Sequence, residues 1–417
     1  MTSPENTAKP KGGGALVVIL GALTALGPLS NDTYLPGLPD LTHDLHATAS
    51  AGQLSLTACL LGLGFGQLFA GPVSDALGRR RPLVFGLGVY TAAALLCAIA
   101  PNIWLLVALR AIQGLGGAVG IVTAAAIVRD RHEGAAAAKY FSLLMLITGL
   151  APVLAPVAGG QLLRFTSWHG IFTLLGIIGA LMLVVVAVGL PETLPAERRH
   201  SGGLKATGPV FRTLLSDRLF VGYTVAGGLA FAAMFAYIAG SPFVLQDIHG
   251  MSPQGFSAVF AVNAGGLVVA AQVCGRIVHR TGPRPLLALG LSGSAVGGVG
   301  LLVTVLAGGG LVPLLVALFI VVSSVGLVMP TSTALALQDH GSSAGSAAAL
   351  LGLSQHVFGA AVVPLVGLAG EGTAVPMGIV IAALGVSALT FFATLTRSRG
   401  LPADETAEAR TEQTATA

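Results

Sequence analysis

Asp32 and Arg110 are the two formally charged residues inside the long apolar runs of this 417-residue chain. Asp32 lies in GPLSNDTYLPGLP (Gly27–Pro39), directly after the apolar run GALVVILGALTAL (Gly14–Leu26); Arg110 lies in LVALRAIQGLGG (Leu106–Gly117). A charge at membrane depth costs about 2.5–3.5 kcal/mol on insertion scales, so such a residue faces a bundle interior or a watery cavity. Two readings of Asp32 follow. It is a titratable carboxylate, tuned by burial and a neighbouring cation, that takes up a proton on one side and releases it on the other. Or it caps a helix break near Pro28 and Pro36, with Arg110 as a packing counter-charge. At a rise of ~1.5 Å per residue, Asp32 is about 27 Å along its run and Arg110 about 12 Å in from the opposite mouth. A direct or water-bridged pair is within reach of tilt and side-chain length.

Other residues gather around these two. Gln113 lies one turn from Arg110, and Gly114, Gly116 and Gly117 permit close helix contact. GLAPVLAPVAGG (Gly149–Gly160) sets Pro152 and Pro156 one turn apart, followed by Gly159 and Gly160. Two missing backbone donors force this helix to bend or to lean on a neighbour, for function or for packing alone. In GPVSDALGRRRP (Gly71–Pro82), Asp75 can accept from arginines or helix N-termini and Gly78 allows a tight turn, while Arg79, Arg80 and Arg81 join that cluster or act only as orientation charges. His356, beside Gln355, is the titratable in-span residue of the second half. Phe231, Met234 and Phe235 share a helical face, near Tyr237, and Asn263 follows in the next run; they line an apolar pocket or simply pack. The candidate cavity set is therefore Tyr34, Gln113, Phe231, Phe235, Asn263 and His356. Asp40, His43, Asp44 and His46 have metal-like spacing but read as a solvated loop, and no metal is expected. Trp104 and Trp168 read as interfacial anchors.

The elements that must position these residues are membrane helices. Of the residues, 54% are hydrophobic and 9% charged, against roughly a quarter charged in a soluble domain. The 58 glycines and 22 prolines are spread through the apolar runs, as in closely packed and locally broken membrane helices. No alternating segments suggest a barrel. Cys59, Cys97 and Cys274 lie in apolar runs at unrelated spacings, so neither a disulfide framework nor a metal motif is indicated. Runs of about 20 apolar residues predict twelve spans at 14–36, 50–72, 82–100, 103–128, 139–162, 170–190, 219–245, 255–275, 286–307, 311–335, 344–370 and 375–396. The chain divides into a tail (1–13), a six-helix bundle (14–190), a linker (191–218), a second six-helix bundle (219–396) and a tail (397–417). Both tails read as disordered. Of 21 Lys and Arg, Arg110 lies within a span and Arg164 after the fifth, leaving 19 on the side of the N-terminus. The positive-inside bias then puts both termini in the cytoplasm. The net charge of +4 sits in short loops, so nucleic acid is not an expected partner.

The halves echo each other. GPVSDALGRRRP recurs as GRIVHRTGPRPL (Gly275–Leu286), with Gly71, Gly78 and Arg80 mapping onto Gly275, Gly282 and Arg284 at one offset of 204 residues. A constant offset across six spans indicates a duplicated unit. His279 stands where the first copy has Asp75.

Together the motifs resemble the major facilitator superfamily, and within it the twelve-span proton-coupled drug exporters. GPVSDALGRRRP is similar to the signature loop between the second and third helices, and LVALRAIQGLGG to the fourth-helix signature with its buried arginine. APVAGG (Ala155–Gly160) resembles the fifth-helix antiporter motif, with Ala155 where a glycine is usual. SNDTYLPGLP (Ser30–Pro39), VRDRHEGAAAAKYFSLLMLITGLAPVLAPVAGG (Val128–Gly160), PETLPAERR (Pro191–Arg199) and FAAMFAYIAGSPFVLQ (Phe231–Gln246) are similar to the Bcr/CflA subfamily. The resemblance implies an all-α polytopic fold, two pseudo-symmetric six-helix bundles around a central cavity, and export of chloramphenicol-like or bicyclomycin-like antibiotics. It implies that Asp32 carries the proton, that Arg110 supports proton exchange, and that Asp75 and Arg79 belong to a cytoplasmic latch.

The expected function is thus proton-coupled efflux of small, mostly apolar drugs across the bacterial inner membrane by a monomer, driven by the proton gradient without a cofactor. Proton-linked transport of a polar metabolite, an amino acid or sugar, is the alternative on the same scaffold. An enzyme would need a cluster of reactive groups at a membrane face, and a channel a filter-like repeat; neither is visible.

Overall fold

In the computed structural model the described residues are 13–132, 134–199, 207–340, 344–368, 370 and 372–396. The expected tail residues 1–12 and 397–417, and Lys205 of the linker, lie outside the described residues. The first bundle consists of α1 (Gly13–Asp32), α3 (Ala49–Leu77), α4 (Arg80–Cys97), α5 (Ile103–Arg131), α6 (Gly134–Leu162) and α7 (Trp168–Gly189), with the short α2 (Leu38–Asp44) between α1 and α3. After α8 (Thr207–Ser216), the second bundle consists of α9 (Arg218–Phe243), α10 (Pro253–Thr281), α11 (Pro283–Leu306), α12 (Leu311–Leu337), α13 (Ala344–Val362) and α14 (Val375–Leu395). Eleven helical stretches among the described residues are long and apolar enough to cross a membrane. The predicted third span, α4, falls outside that set because Arg80 and Arg81 open an 18-residue helix and lower its mean hydropathy. It still packs within its bundle, between α5 and α7.

Duplication is visible in the pairing of helices. In the first bundle α3 and α4 pack on α5, α4 on α7, and α1 on α5 and α6; in the second, α10 and α11 pack on α12, α11 on α14, and α9 on α12 and α13. Helix ends repeat as well. The Thr48 hydroxyl accepts from the Ala51 N–H at the start of α3, and the Ser252 hydroxyl from the Gly255 N–H at the start of α10. Both helices end on a left-handed glycine, Gly78 (φ 87°) and Gly282 (φ 78°), where a side chain would be strained. All three pairs lie 204 residues apart. Arg80 then donates to the Ala187 carbonyl at the end of α7, and Arg284 to the Thr396 carbonyl after α14, at 2.8 Å in the second case. Each arginine thus meets the negative end of its bundle's last helix.

Small residues set the closest contacts. A Cβ on Gly62 of α3 would strike the Ala111 carbonyl of α5, and one on Gly114 of α5 the Cys59 carbonyl of α3, so these backbones touch directly. Large apolar side chains such as Phe85, Val188 and Val312 point outward, as they must against lipid.

Three local features differ from the sequence expectation. The stretch read as a loop around Asp40–His46 contains α2, and the linker contains α8, whose Val210, Phe211 and Leu214 form a short apolar stripe packed with Phe220. Ten residues are too few for a span and too amphipathic to stay a loop. Trp104 is exposed, as an anchor at the lipid boundary should be, but Trp168 is buried and its indole N–H donates to Asp44 at 3.0 Å. Its polar edge is taken by a carboxylate rather than by the membrane interface.

Candidate functional site

Asp32 is the last residue of α1, where the chain leaves the helix through Thr33 and Tyr34 into a short 3-10 turn carrying Pro36. Its side chain is 5% exposed and makes no hydrogen bond or ion pair among the described residues, so it is not acting as a cap. Instead it borders the central cavity. Arg110, fully buried on α5, pairs with its neighbours rather than with Asp32: Nη1 donates to Gln113 Oε1 at 2.6 Å and Nη2 to Asn31 Oδ1 at 3.2 Å. Its guanidinium carbon lies 4.7 Å from the centre of the Tyr34 ring and 5.6 Å from that of Phe172, close enough for cation–π attraction. Neutral acceptors and rings therefore hold this cation. Around it, the Ser55 hydroxyl donates to the Gly52 carbonyl, so the Tyr34 hydroxyl donates to Ser55 at 2.8 Å; by the same logic Tyr90 donates to Ser30 at 2.8 Å.

The cavity, of about 520 Å³, lies between the bundles. Phe231, Phe235 and His356 line it as the sequence suggested, joined by Met234, Tyr237 and Pro152. Tyr34, Gln113 and Asn263 do not. Tyr34 and Gln113 are buried in the Arg110 network, and Asn263 is buried with its amide donating to the Tyr237 hydroxyl at 3.0 Å. The Tyr34 hydroxyl, the Gln113 oxygen and the Asn263 amide N–H are used inside the bundles, behind the cavity wall.

At the end of the molecule holding the α3–α4 turn, the cavity walls include Phe141, Met145, Gln67 and Met329. At the opposite end the bundles meet along α6–α10 and α3–α13. Among the described residues, four side-chain hydrogen bonds from α3 or α10 cross the boundary at this end. Ser50 donates to the Pro364 carbonyl (3.2 Å), Gln254 to Gly160 (2.8 Å), Gln53 to Ala239 (3.1 Å) and Thr57 to Ala360 (3.2 Å). The first two are one bond repeated: 50 and 254, like 160 and 364, are 204 apart. Gly159 is equally constrained, since a Cβ there would strike the Thr33 carbonyl. Pro152 and Pro156 stay within a continuous α6 that leans on α1 and α10.

Asp75, Gly78, Arg79 and Arg80 form one cluster. The Arg79 side chain is paired with Asp75, donates to Ser74 Oγ at 2.9 Å, and holds Asp130 through Nε at 2.8 Å and Nη2 at 3.3 Å. Glu192 closes it, accepting from the backbone N–H groups of Arg79, Arg80, Thr193 and Leu194 at 2.8–3.2 Å. Burial acts to raise the Glu192 pKa, but these four donors outweigh it and hold the carboxyl below its ordinary 4.5. Every partner lies in the first bundle or directly after it. Asp130, Glu192, Asn31 and Tyr90 were not singled out by sequence reasoning, although Asp130 lies in VRDRHEG and Glu192 in PETLPAERR. Among the described residues no group of three or more His, Cys, Asp or Glu could hold a metal, so Asp40, His43, Asp44 and His46 form no such site.

Two duplicated helical bundles, packed face to face at one end and parted around an apolar cavity at the other, define a membrane transport protein. The chain matches the family model described as Major Facilitator Superfamily over residues 20–364, and it belongs to that family. It is 43% identical to the uncharacterized MFS-type transporter YdgK of Bacillus subtilis (strain 168), over 92% of this chain and 96% of the relative. It is 30% identical to the bicyclomycin resistance protein homolog of Haemophilus influenzae, over 87% and 91%. Among solved structures, the nucleoside transporter NupG superposes with a TM-score of 0.74 at 12% identity, over 92% of this chain and 100% of that one, which is a likeness of fold.

Proposed function

We propose that this protein exports small, mostly apolar drugs across the bacterial inner membrane in exchange for protons, alternating access between two bundles spanning 14–190 and 219–396. The observation that carries the reading is Asp32: a carboxyl bordering an otherwise largely apolar cavity, with no hydrogen bond or ion pair among the described residues. A carboxylate without a fixed partner is available to a proton or a substrate in turn. Arg110, one residue away through Asn31, favours release of that proton, and no further cofactor is needed. The likeness to a bicyclomycin resistance protein homolog supports a drug as cargo. With the basic loops facing the cytoplasm, both termini are cytoplasmic and the open cavity faces inward. Asp75, Gly78, Arg79 and Arg80 form the cytoplasmic latch, and Pro152, Pro156, Gly159 and Gly160 set the lean of the antiporter-type helix. The unit that works is the monomer, with lipid around it.

Purified protein in liposomes with an imposed pH gradient tests the reading. Asp32→Asn keeps shape and hydrogen-bonding capacity but cannot titrate, so uphill export and drug-driven proton release should vanish while drug binding survives. Asp32→Glu should be intermediate. Uphill transport by Asp32→Asn at the wild-type rate would end the proton-carrier role, and a wild type that moves only amino acids or sugars would favour the metabolite alternative.

A further inference from the structure

The cavity borders two bundles, and Asp32 belongs to the first. Its counterpart on the second bundle is His356, on α13. The His356 Nδ1 lies 2.7 Å from the Gly352 carbonyl. A carbonyl only accepts, so Nδ1 carries the proton and, in the neutral ring, Nε2 presents a lone pair. That nitrogen has no partner among the described residues. Phe231 lies beside the ring, 6.1 Å away centre to centre, and Gly64 of α3 lets the two helices approach at the His356 Cβ, where a Cβ on Gly64 would come within 3.1 Å.

Most other polar groups on the cavity wall are already used. The Thr24 hydroxyl donates to the Gly21 carbonyl and the Thr148 hydroxyl to Leu144. The Asn31 oxygen accepts from Arg110, and the Tyr237 oxygen from Asn263. Among the described residues, His356 Nε2 is one of the open polar groups on this wall, with Asp32, the Gln67 amide, the Asn31 Nδ2 and the Tyr237 O–H, and it is an acceptor contributed by the second bundle.

We propose that His356 selects, among apolar substrates, those carrying a hydrogen-bond donor, an N–H or O–H that Nε2 accepts across the cavity from Asp32. The proposal rests on the drug-export reading and refines it from apolar cargo to donor-bearing apolar cargo. A donor carried into this wall without an acceptor loses its water for nothing, whereas one that meets Nε2 keeps a bond. A site that bonds a substrate group discriminates against the analogue lacking it. His356 is placed to touch substrate, while the proton step stays at Asp32.

The test uses two fluorescent xanthene dyes of equal charge and similar size, one with secondary amines whose N–H groups donate, the other with the same nitrogens fully alkylated. Binding is read by fluorescence polarisation on the purified full chain, and transport in liposomes. The wild type should bind the N–H dye about tenfold more tightly, with the difference in KM and not in kcat. His356→Leu should bring the two dyes to one affinity by weakening the N–H dye alone, and His356→Gln, whose Oε1 accepts, should restore most of the preference. A wild type with equal affinity for both dyes overturns the proposal without any variant, and so does a preference that survives in His356→Leu. A wild type that neither binds nor moves either dye overturns the drug-export reading itself.

Discussion

Glu192 shows how much a single side chain can organise at a helix start. The first N–H groups of a helix have no intrahelical acceptor, and here one carboxylate answers two of them on Arg79 and Arg80 while also holding the strap residues Thr193 and Leu194. Because these bonds favour the charged form, the folded pKa lies below the unfolded value of 4.5. The contribution is then fully present above the unfolded value and is lost as pH falls through the folded one. Glu192→Gln loses the charge and with it this pH dependence. Hydrogen exchange at the four amides should be slower in wild type than in Glu192→Gln at neutral pH, and the gap should close as the solution is acidified below the unfolded pKa. A gap that stays constant through that range would show that the carboxylate charge does not hold the strap. The same cluster bears on the cycle, because Arg79→Ala leaves the half-buried Asp130 without its cation.

Among elements, the closed end is where α3 meets α13 and α10 meets α6, and side-chain amides and hydroxyls bonded to backbone carbonyls cross both seams. Such bonds are individually weak, roughly 0.5–1.5 kcal/mol net, so the gate is held without being fixed. Replacing Gln53 and Gln254 together by Leu removes the bond from α3 to α9 and the bond from α10 to α6 and leaves bulk in place. About 1 kcal/mol from each bond should move the balance toward an opened outer face by roughly tenfold to thirtyfold. Accessibility of single cysteines placed at that face, labelled with a membrane-impermeant thiol reagent, reads the shift. An unchanged labelling rate in the double variant, at equal protein level, would remove these amides from the gate.

For the whole molecule, the two bundles repeat the same helix pairing, yet the chemistry is uneven. Asp32, Arg110 and the Asp75–Arg79–Asp130 cluster all belong to the first bundle, while the second has His279 at the position of Asp75 and contributes His356 to the cavity. On the proposed reading, one half handles the proton and the other chiefly offers a wall for cargo. The chain has no GxxxxGK[ST] phosphate loop, so its energy source should be the proton gradient. A protonophore should collapse drug efflux from energised cells. Efflux that persists with pH gradient and membrane potential both abolished, while ATP is sustained, would show that the coupling lies elsewhere.

Run length, charge position and the offset of 204 are local properties, so the sequence by itself determined the membrane helices, the duplication, the left-handed Gly78 and Gly282, and the isolation of Asp32 as an in-span carboxylate. Mutual facing is not local. Adjacent residues on a helix point about 100° apart, so whether Asn31 or Asp32 meets Arg110, 79 residues from Asn31, depended on how α1 is rotated against α5. The same dependence placed Tyr34, Gln113 and Asn263 behind the cavity wall and Trp168 against Asp44. It also brought Glu192 to the start of α4, 113 residues back along the chain from Glu192 to Arg79. Those outcomes belong to the tertiary structure because each needs two distant segments to arrive at one point with their side chains turned toward each other.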